Sequence, residues 1–220
     1  MTHDKATIEH RFDAPFISAH FEHFEPTYNA ALSQHLPIIR TYHEDRIELA
    51  TWGFWPEERM RTKPSHPMIN ARLGTAADKP MFESSLHGRR CMVLADGYFE
   101  WRVTAHGKLP YRITLKSGEP FAMAGIHAHI DTGQPEIDQQ SPVNFAILTT
   151  KANEAVQHIH DRMPVIRKPG NGKGWLHPGG TWIFNPFPSE LFTSYPVKPK
   201  MNRASFNSPE AIAPLEPAIQ

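Results

Sequence analysis

The stretch Arg89-Arg90-Cys91-Met92-Val93-Leu94-Ala95-Asp96-Gly97-Tyr98-Phe99-Glu100-Trp101 decides how this chain is read. Arg90 to Leu94 is a short, mostly apolar run, Asp96-Gly97 is a turn signal, and beyond it Glu100 lies between two aromatic residues. Strand, turn and strand follow. Leu36 to Thr41, Arg46 to Trp52, Tyr111 to Leu115, Phe121 to Ile126 and Phe145 to Thr149 repeat the theme, set off by Gly, Pro, Asp and Asn as in Lys116-Ser117-Gly118-Glu119-Pro120. A helix is expected over Thr2 to Phe12, with Thr2 as N-cap, Asp4 in the first turn, and Ile8 and Phe12 on one face. A second is expected over Lys151 to His160, capped by Thr150 and turning Ala152, Val156 and Ile159 inward, with a further helical turn at Ser189 to Phe192. The predicted class is α+β: mostly antiparallel β, barrel-like, with a few short helices. Asp131 to Ser141 and Pro169 to Gly180 read as exposed loops.

At 220 residues the chain suits one domain, taken as 1–200, with 201–220 as a C-terminal tail. Lys+Arg and Asp+Glu both number 23, so no global field attracts nucleic acid or an anionic membrane, and a polyanion must be held by a local basic patch. Apolar runs fall short of the roughly 20 residues that span a bilayer, and no signal-peptide segment opens the chain, so a soluble cytoplasmic protein is expected. The single cysteine excludes an internal disulfide and a multi-thiolate metal site. Within its apolar run, Cys91 reads as a buried, inert thiol.

Four polar residues stand out as candidate chemistry. Between aromatics, Glu100 is placed near apolar walls that raise a carboxyl pKa, although an edge-strand surface glutamate fits the segment equally well. His160 ends the second amphipathic stretch as a titratable imidazole, or simply as a cap and partner for Asp161. In Ile69-Asn70-Ala71-Arg72, Asn70 is alternatively a turn residue and Arg72 a solvated cation. His127-Ala128-His129 puts two imidazoles on one strand face, yet no carboxylate or thiol recurs at zinc-like spacing, so neither metal nor cofactor is expected.

Taken together, Trp52-Gly53-Phe54-Trp55-Pro56, Asn70-Ala71-Arg72, Arg90-Cys91, Ala95-Asp96-Gly97-Tyr98-Phe99-Glu100-Trp101, Pro110-Tyr111, Phe121-Ala122-Met123-Ala124-Gly125 and Ile159-His160-Asp161-Arg162-Met163-Pro164 resemble the SRAP family. This is the SOS response-associated peptidase family, also called abasic site processing proteins. The resemblance runs in order from about residue 26 to residue 200 and implies a mostly β domain that binds single-stranded DNA and reacts with the aldehyde of an abasic site. In the family an N-terminal cysteine, exposed on loss of the initiator Met, forms a Schiff base through its amine and a thiazolidine through its thiol. An α-amino group with a pKa of about 7.7–8.0 is partly neutral at physiological pH, which suits that attack.

By motif position the resemblance makes Asn70 an orienter of the amine or sugar, Glu100 the proton carrier of imine formation and reversal, and His160 the acid or base that opens the deoxyribose ring. It assigns Arg72 to phosphate, Thr149 to the DNA backbone, and Trp101 to the abasic sugar or a neighbouring base. The partner implied is abasic single-stranded DNA, handled by a monomer in the cytoplasm at the nucleoid. Alternatives are a non-covalent single-stranded DNA binder, or a peptidase as in the family's name, whose thiol here would be Cys91.

Met1-Thr2-His3 stands where the family opens Met-Cys-Gly-Arg, and without that thiol no thiazolidine forms. The expectation is therefore that Met1 is an internal methionine, preceded by a short segment carrying the nucleophile. Asn29-Ala30-Ala31-Leu32 loses the family's proline, Glu58 replaces a second stacking tryptophan, and Gly74 stands where Glu or Ser often follows Asn-Ala-Arg.

Overall fold

A computed structural model describes residues 1–17, 22, 24–56, 66–130, 143–167, 173–177 and 187–216. The strands are β1 (His35–Arg40), β2 (His43–Trp52), β3 (Asn70–Arg72), β4 (Arg90–Ala95), β5 (Tyr98–Thr104) and β6 (Gly107–Leu115). They continue as β7 (Phe121–His129), β8 (Val143–Lys151), β9 (Arg162–Pro164), β10 (Ile166–Arg167) and β11 (Phe192–Pro196). Each run read as a strand forms one. Glu58 and most of the two expected loops lie outside the described residues.

The larger sheet runs β10-β7-β4-β1-β2-β8-β3, with β9 beside β8, and a further β7–β8 pairing joins β7, β4, β1, β2 and β8 into a closed ring. Most pairings are antiparallel, but β2 and β3 lie parallel to β8. A second sheet, β11-β6-β5, stands beside it. Period-two alternation divides the ring's strands between two cores. Ile39, Ile47, Met92, Leu94, Ala124, Ile126 and Leu148 face the helices Lys5–Phe12 and Pro80–Gly88 through Ile8, Phe12, Phe82 and Leu86. The alternate residues Ile38, Ala50, Val93, Met123, Phe145 and Ile147 join Ile113, Leu115, Val156 and Ile159, tying the second sheet to the ring.

Where β7 crosses β4 and β8, only glycine fits. A Cβ on Gly125 would lie 2.9 Å from the Ala146 carbonyl oxygen and 2.9 Å from Cys91 Sγ. Gly125→Ala should lower unfolding free energy by about 1–3 kcal/mol through the forced strand shift, read as a depressed thermal midpoint.

Two helix assignments need correction. The first helix is Lys5–Phe12, and its cap is Asp4, which accepts from the Thr7 N–H at 2.8 Å. Thr2 is drawn away by Asp96, which takes its N–H at 2.8 Å and also its hydroxyl. The expected helix over Lys151 to His160 is instead a run of turns. β8 continues to Lys151 because Thr150 and Lys151 pair with Met163 and Arg162 of β9, and the Ala152 N–H donates to the Asp161 carbonyl at 2.9 Å, so Thr150 cannot cap. Asn153 starts the turns, its carbonyl accepting from Val156 and Gln157. The inward residues are as expected: Ala152, Val156 and Ile159 are buried, as they would be on a helix face. Ser189–Leu191 forms the anticipated helical turn.

Residues 197–215 lie along the second sheet, held by Asn29, whose Nδ2 donates to the carbonyls of Met201, Arg203 and Phe206 at 2.7, 3.1 and 3.1 Å.

Candidate active site

Among the described residues strand β3 ends the strand order of the larger sheet. Its parallel pairing sets Asn70 opposite Ile147, Ala71 opposite Leu148 and Arg72 opposite Thr149. Alternation then buries Ala71 and leaves Asn70 and Arg72 exposed on the other face, in line with Thr149. The Trp52 indole N–H donates to the Ile69 carbonyl at 3.1 Å and fixes the approach to this strand.

On the other side of β8, β9 brings Arg162 onto Thr149. Its Nη2 donates to the Thr149 carbonyl at 2.6 Å and to Oγ1 at 3.0 Å, while Nε reaches Oγ1 at 3.2 Å. The Thr149 hydroxyl is thus filled as an acceptor, and its own proton points at the Ala71 carbonyl, 3.5 Å away at the outer limit of a hydrogen bond.

His160 closes the run of turns before β9. The Arg162 backbone N–H donates to its Nδ1 at 3.0 Å, so the neutral ring carries its proton on Nε2, a tautomer assigned from that bond. Asp161 Oδ1 lies 3.2 Å from the same nitrogen and would accept from a protonated ring. Glu100 sits half-buried in β5 opposite Tyr111, whose ring stands edge-on to His158 at 6.4 Å between centroids. Burial pushes the Glu100 carboxyl above its ordinary range, the His160 charge and the Trp101 N–H draw it back, and Asp161 pushes it further up. Glu100 and His160 therefore share one electrostatic neighbourhood, while Asn70 and Arg72 lie with Thr149 on the paired strands β3 and β8.

Trp101 occupies the opposite face of β5. Its indole N–H donates to Asn202 Oδ1 at 2.8 Å, and its ring packs with Phe99 on Val197, Met201 and Ala211. Cys91 is fully buried, and burial pushes its thiol far above the usual range, leaving no thiolate for peptidase chemistry. The His127 and His129 rings meet edge-on at 5.7 Å. Among the described residues no three His, Cys, Asp or Glu side chains gather as metal ligands would. No helix of the described residues is long and apolar enough to cross a membrane.

Sequence reasoning gave Asp96 only a turn role, but it anchors the start of the chain. It lies 3.7 Å from the Met1 amine and 3.2 Å from Arg112 Nη2, and accepts from Thr2. A Cβ on Gly97 would fall 2.9 Å from Arg112 Nε, so glycine is what lets the guanidinium close over the turn. Burial lowers the pKa of the Met1 amine, Asp96 opposing and Arg112 assisting, while the amine also donates to the Thr27 carbonyl at 3.1 Å. The amine and Glu100 thus answer to different neighbours. A buried acid beside an arginine in an otherwise apolar strand, Arg112 between Tyr111 and Ile113, was the signal available.

The fold of this chain is shared by known proteins. The family model described as SOS response associated peptidase (SRAP) matches residues 1–204. The chain is similar to the abasic site processing protein YoqW of Bacillus subtilis, 38% identical over 198 residues and covering 86% of each. It is also similar to the abasic site processing protein HMCES of Xenopus tropicalis, 26% identical over 227 residues, covering 87% of this chain and 67% of that one. A crystal structure of a Bacteroides thetaiotaomicron protein superposes with a TM-score of 0.79 at 25% identity, covering 98% of both chains. The chain belongs to the SRAP family.

Proposed function

We propose that this protein, acting as a monomer in the cytoplasm at the nucleoid, processes abasic sites in single-stranded DNA by covalent capture of the sugar aldehyde. The observation that carries this reading is the half-buried Glu100 carboxyl, raised by burial and drawn back by the charge of His160. Relatives named abasic site processing proteins support it. Arg72 takes a phosphate, Thr149 the adjoining backbone, and Asn70 orients the sugar or the amine. Trp101 lies on the other face of β5 from Glu100, its edge tied to Asn202 and its ring packed on Val197, Met201 and Ala211, so base stacking beside Glu100 is not assigned to it.

In its protonated form His160 donates the Nε2 proton to the ring oxygen, the bond from that oxygen to C1′ breaks, solvent takes the C1′ hydroxyl proton, and the free aldehyde and a neutral imidazole result. A neutral amine adds to the aldehyde carbon, giving a carbinolamine. Glu100 then protonates its hydroxyl, water leaves and the imine forms. Ionised Glu100 serves the reverse direction. A carboxyl raised by burial keeps its proton to higher pH than an ordinary glutamate, which suits it to act as the acid. With a cysteine amine the thiol closes a thiazolidine; with the amine of Met1 or Thr2 the adduct stops at the imine.

The test is incubation with single-stranded DNA carrying one abasic site, followed by denaturing electrophoresis. The chain itself should give a shifted band only after borohydride reduction, and a version preceded by Met-Cys-Gly-Arg should give one without reduction. The absence of any band from both sinks the covalent reading. Retained binding would then favour a second reading, non-covalent capture of single strands.

A further inference from the structure

Tyr98 carries a hydroxyl that the mechanism above leaves unused. It opens β5 two residues before Glu100, so alternation sets both on the face opposite Phe99 and Trp101. Its ring packs against the second core alongside Tyr111. The hydroxyl is enclosed, and among the described residues it has no hydrogen-bond partner. An unpaired buried hydroxyl works against folding, and phenylalanine would fill the same space without that loss. A partner from outside the chain would satisfy it. Burial, and then the charge of Glu100, push the phenol upward, so the two groups feel each other. Residues two apart on a strand project from the same face, so the Tyr98 ring and the Glu100 side chain stand side by side on β5.

We propose that Tyr98 is a positioning residue whose hydroxyl donates to the oxygen with which Glu100 exchanges its proton. In the abasic-site reading, on which this rests, that oxygen is the carbinolamine hydroxyl. The Glu100 proton passes to it, the carbon–oxygen bond breaks, the nitrogen lone pair forms the carbon–nitrogen double bond, and water departs from a Glu100 carboxylate. Tyr98 holds the oxygen through the step, and holds the returning water on reversal. The groups facing Glu100 are Tyr98 on its own strand, Tyr111 on β6, and His160 and Asp161 from the segment before β9.

The experiment measures borohydride-trapped adduct against pH for the parent chain, Tyr98→Phe, Glu100→Gln and the double variant. Tyr98→Phe should slow trapping about 3- to 10-fold, the size of one hydrogen bond. It should also move the Glu100-dependent limb to higher pH, because a donor relayed through that oxygen favours the carboxylate. In the Glu100→Gln background the same change should add nothing, and in neither background should the thermal midpoint fall. An unchanged rate and limb in Tyr98→Phe, with an active parent, overturns the inference alone. So does slowing that comes with a lower midpoint and persists in the double variant, since the hydroxyl would then be structural. A parent that traps no DNA overturns the abasic-site reading and this inference together.

Discussion

Asp96→Ala should lower the unfolding free energy near neutrality by about 3–5 kcal/mol, the loss expected when one partner of a buried ion pair is removed. The Asp96 side chain is 4% exposed and that of Arg112 is 8% exposed, so the variant would leave a guanidinium and the Met1 amine with no counter-charge, and Thr2 with two unfilled donors. Burial by itself would raise the Asp96 pKa, but the amine, Arg112 and the Thr2 hydrogen bonds outweigh it and hold the group below the ordinary carboxylate range. A carboxyl depressed by folding gives stability that is complete above its unfolded pKa and is lost as pH falls through the folded one. Urea midpoints of parent and variant should therefore differ widely near neutrality and converge in strong acid. Equal midpoints at neutral pH would show that the cluster stabilises nothing.

Glu100→Gln should slow adduct formation about 100-fold, the lower range for loss of a general acid or base, and leave the fold as stable or more so. The sign is opposite to that of Asp96. Folding raises the Glu100 pKa, so its stabilising contribution belongs to the protonated form, is present below the ordinary carboxyl pKa, and disappears as pH rises through the folded value. Near neutrality the ionised group works against folding, and a neutral amide removes that penalty. Trapping kinetics and a thermal melt on one preparation decide the matter. A rate within twofold of the parent takes Glu100 out of the mechanism, and a clear fall in midpoint would make it a structural residue.

These two acids, four residues apart, were not equally legible. Glu100 drew notice because its aromatic neighbours implied desolvation, and burial does raise its pKa. Asp96 before a glycine looked like a turn former, and nothing local separates that role from a buried anchor. The difference lies in Arg112, sixteen positions onward, which β5–β6 pairing folds back over the turn. The same limit explains the stretch from Lys151 to His160. Its apolar residues recur at helical intervals and do point inward, but β9, distant in pattern though near in sequence, claims the backbone of Thr150 and Lys151.

What the sequence determined by itself is the set of strands and the residues able to do chemistry, because short β-branched and aromatic runs between Gly, Pro and Asp have no better way to bury themselves than in a sheet. Tertiary structure alone decided that five strands close on themselves, that Glu100 and His160 share one electrostatic neighbourhood, that Trp101 lies on the other face of β5 from Glu100, and that the Met1 amine pairs with Asp96. Each of those outcomes depends on long-range pairing and on which side of a strand a residue faces. A shift of one position in register would turn every such side chain to the opposite face.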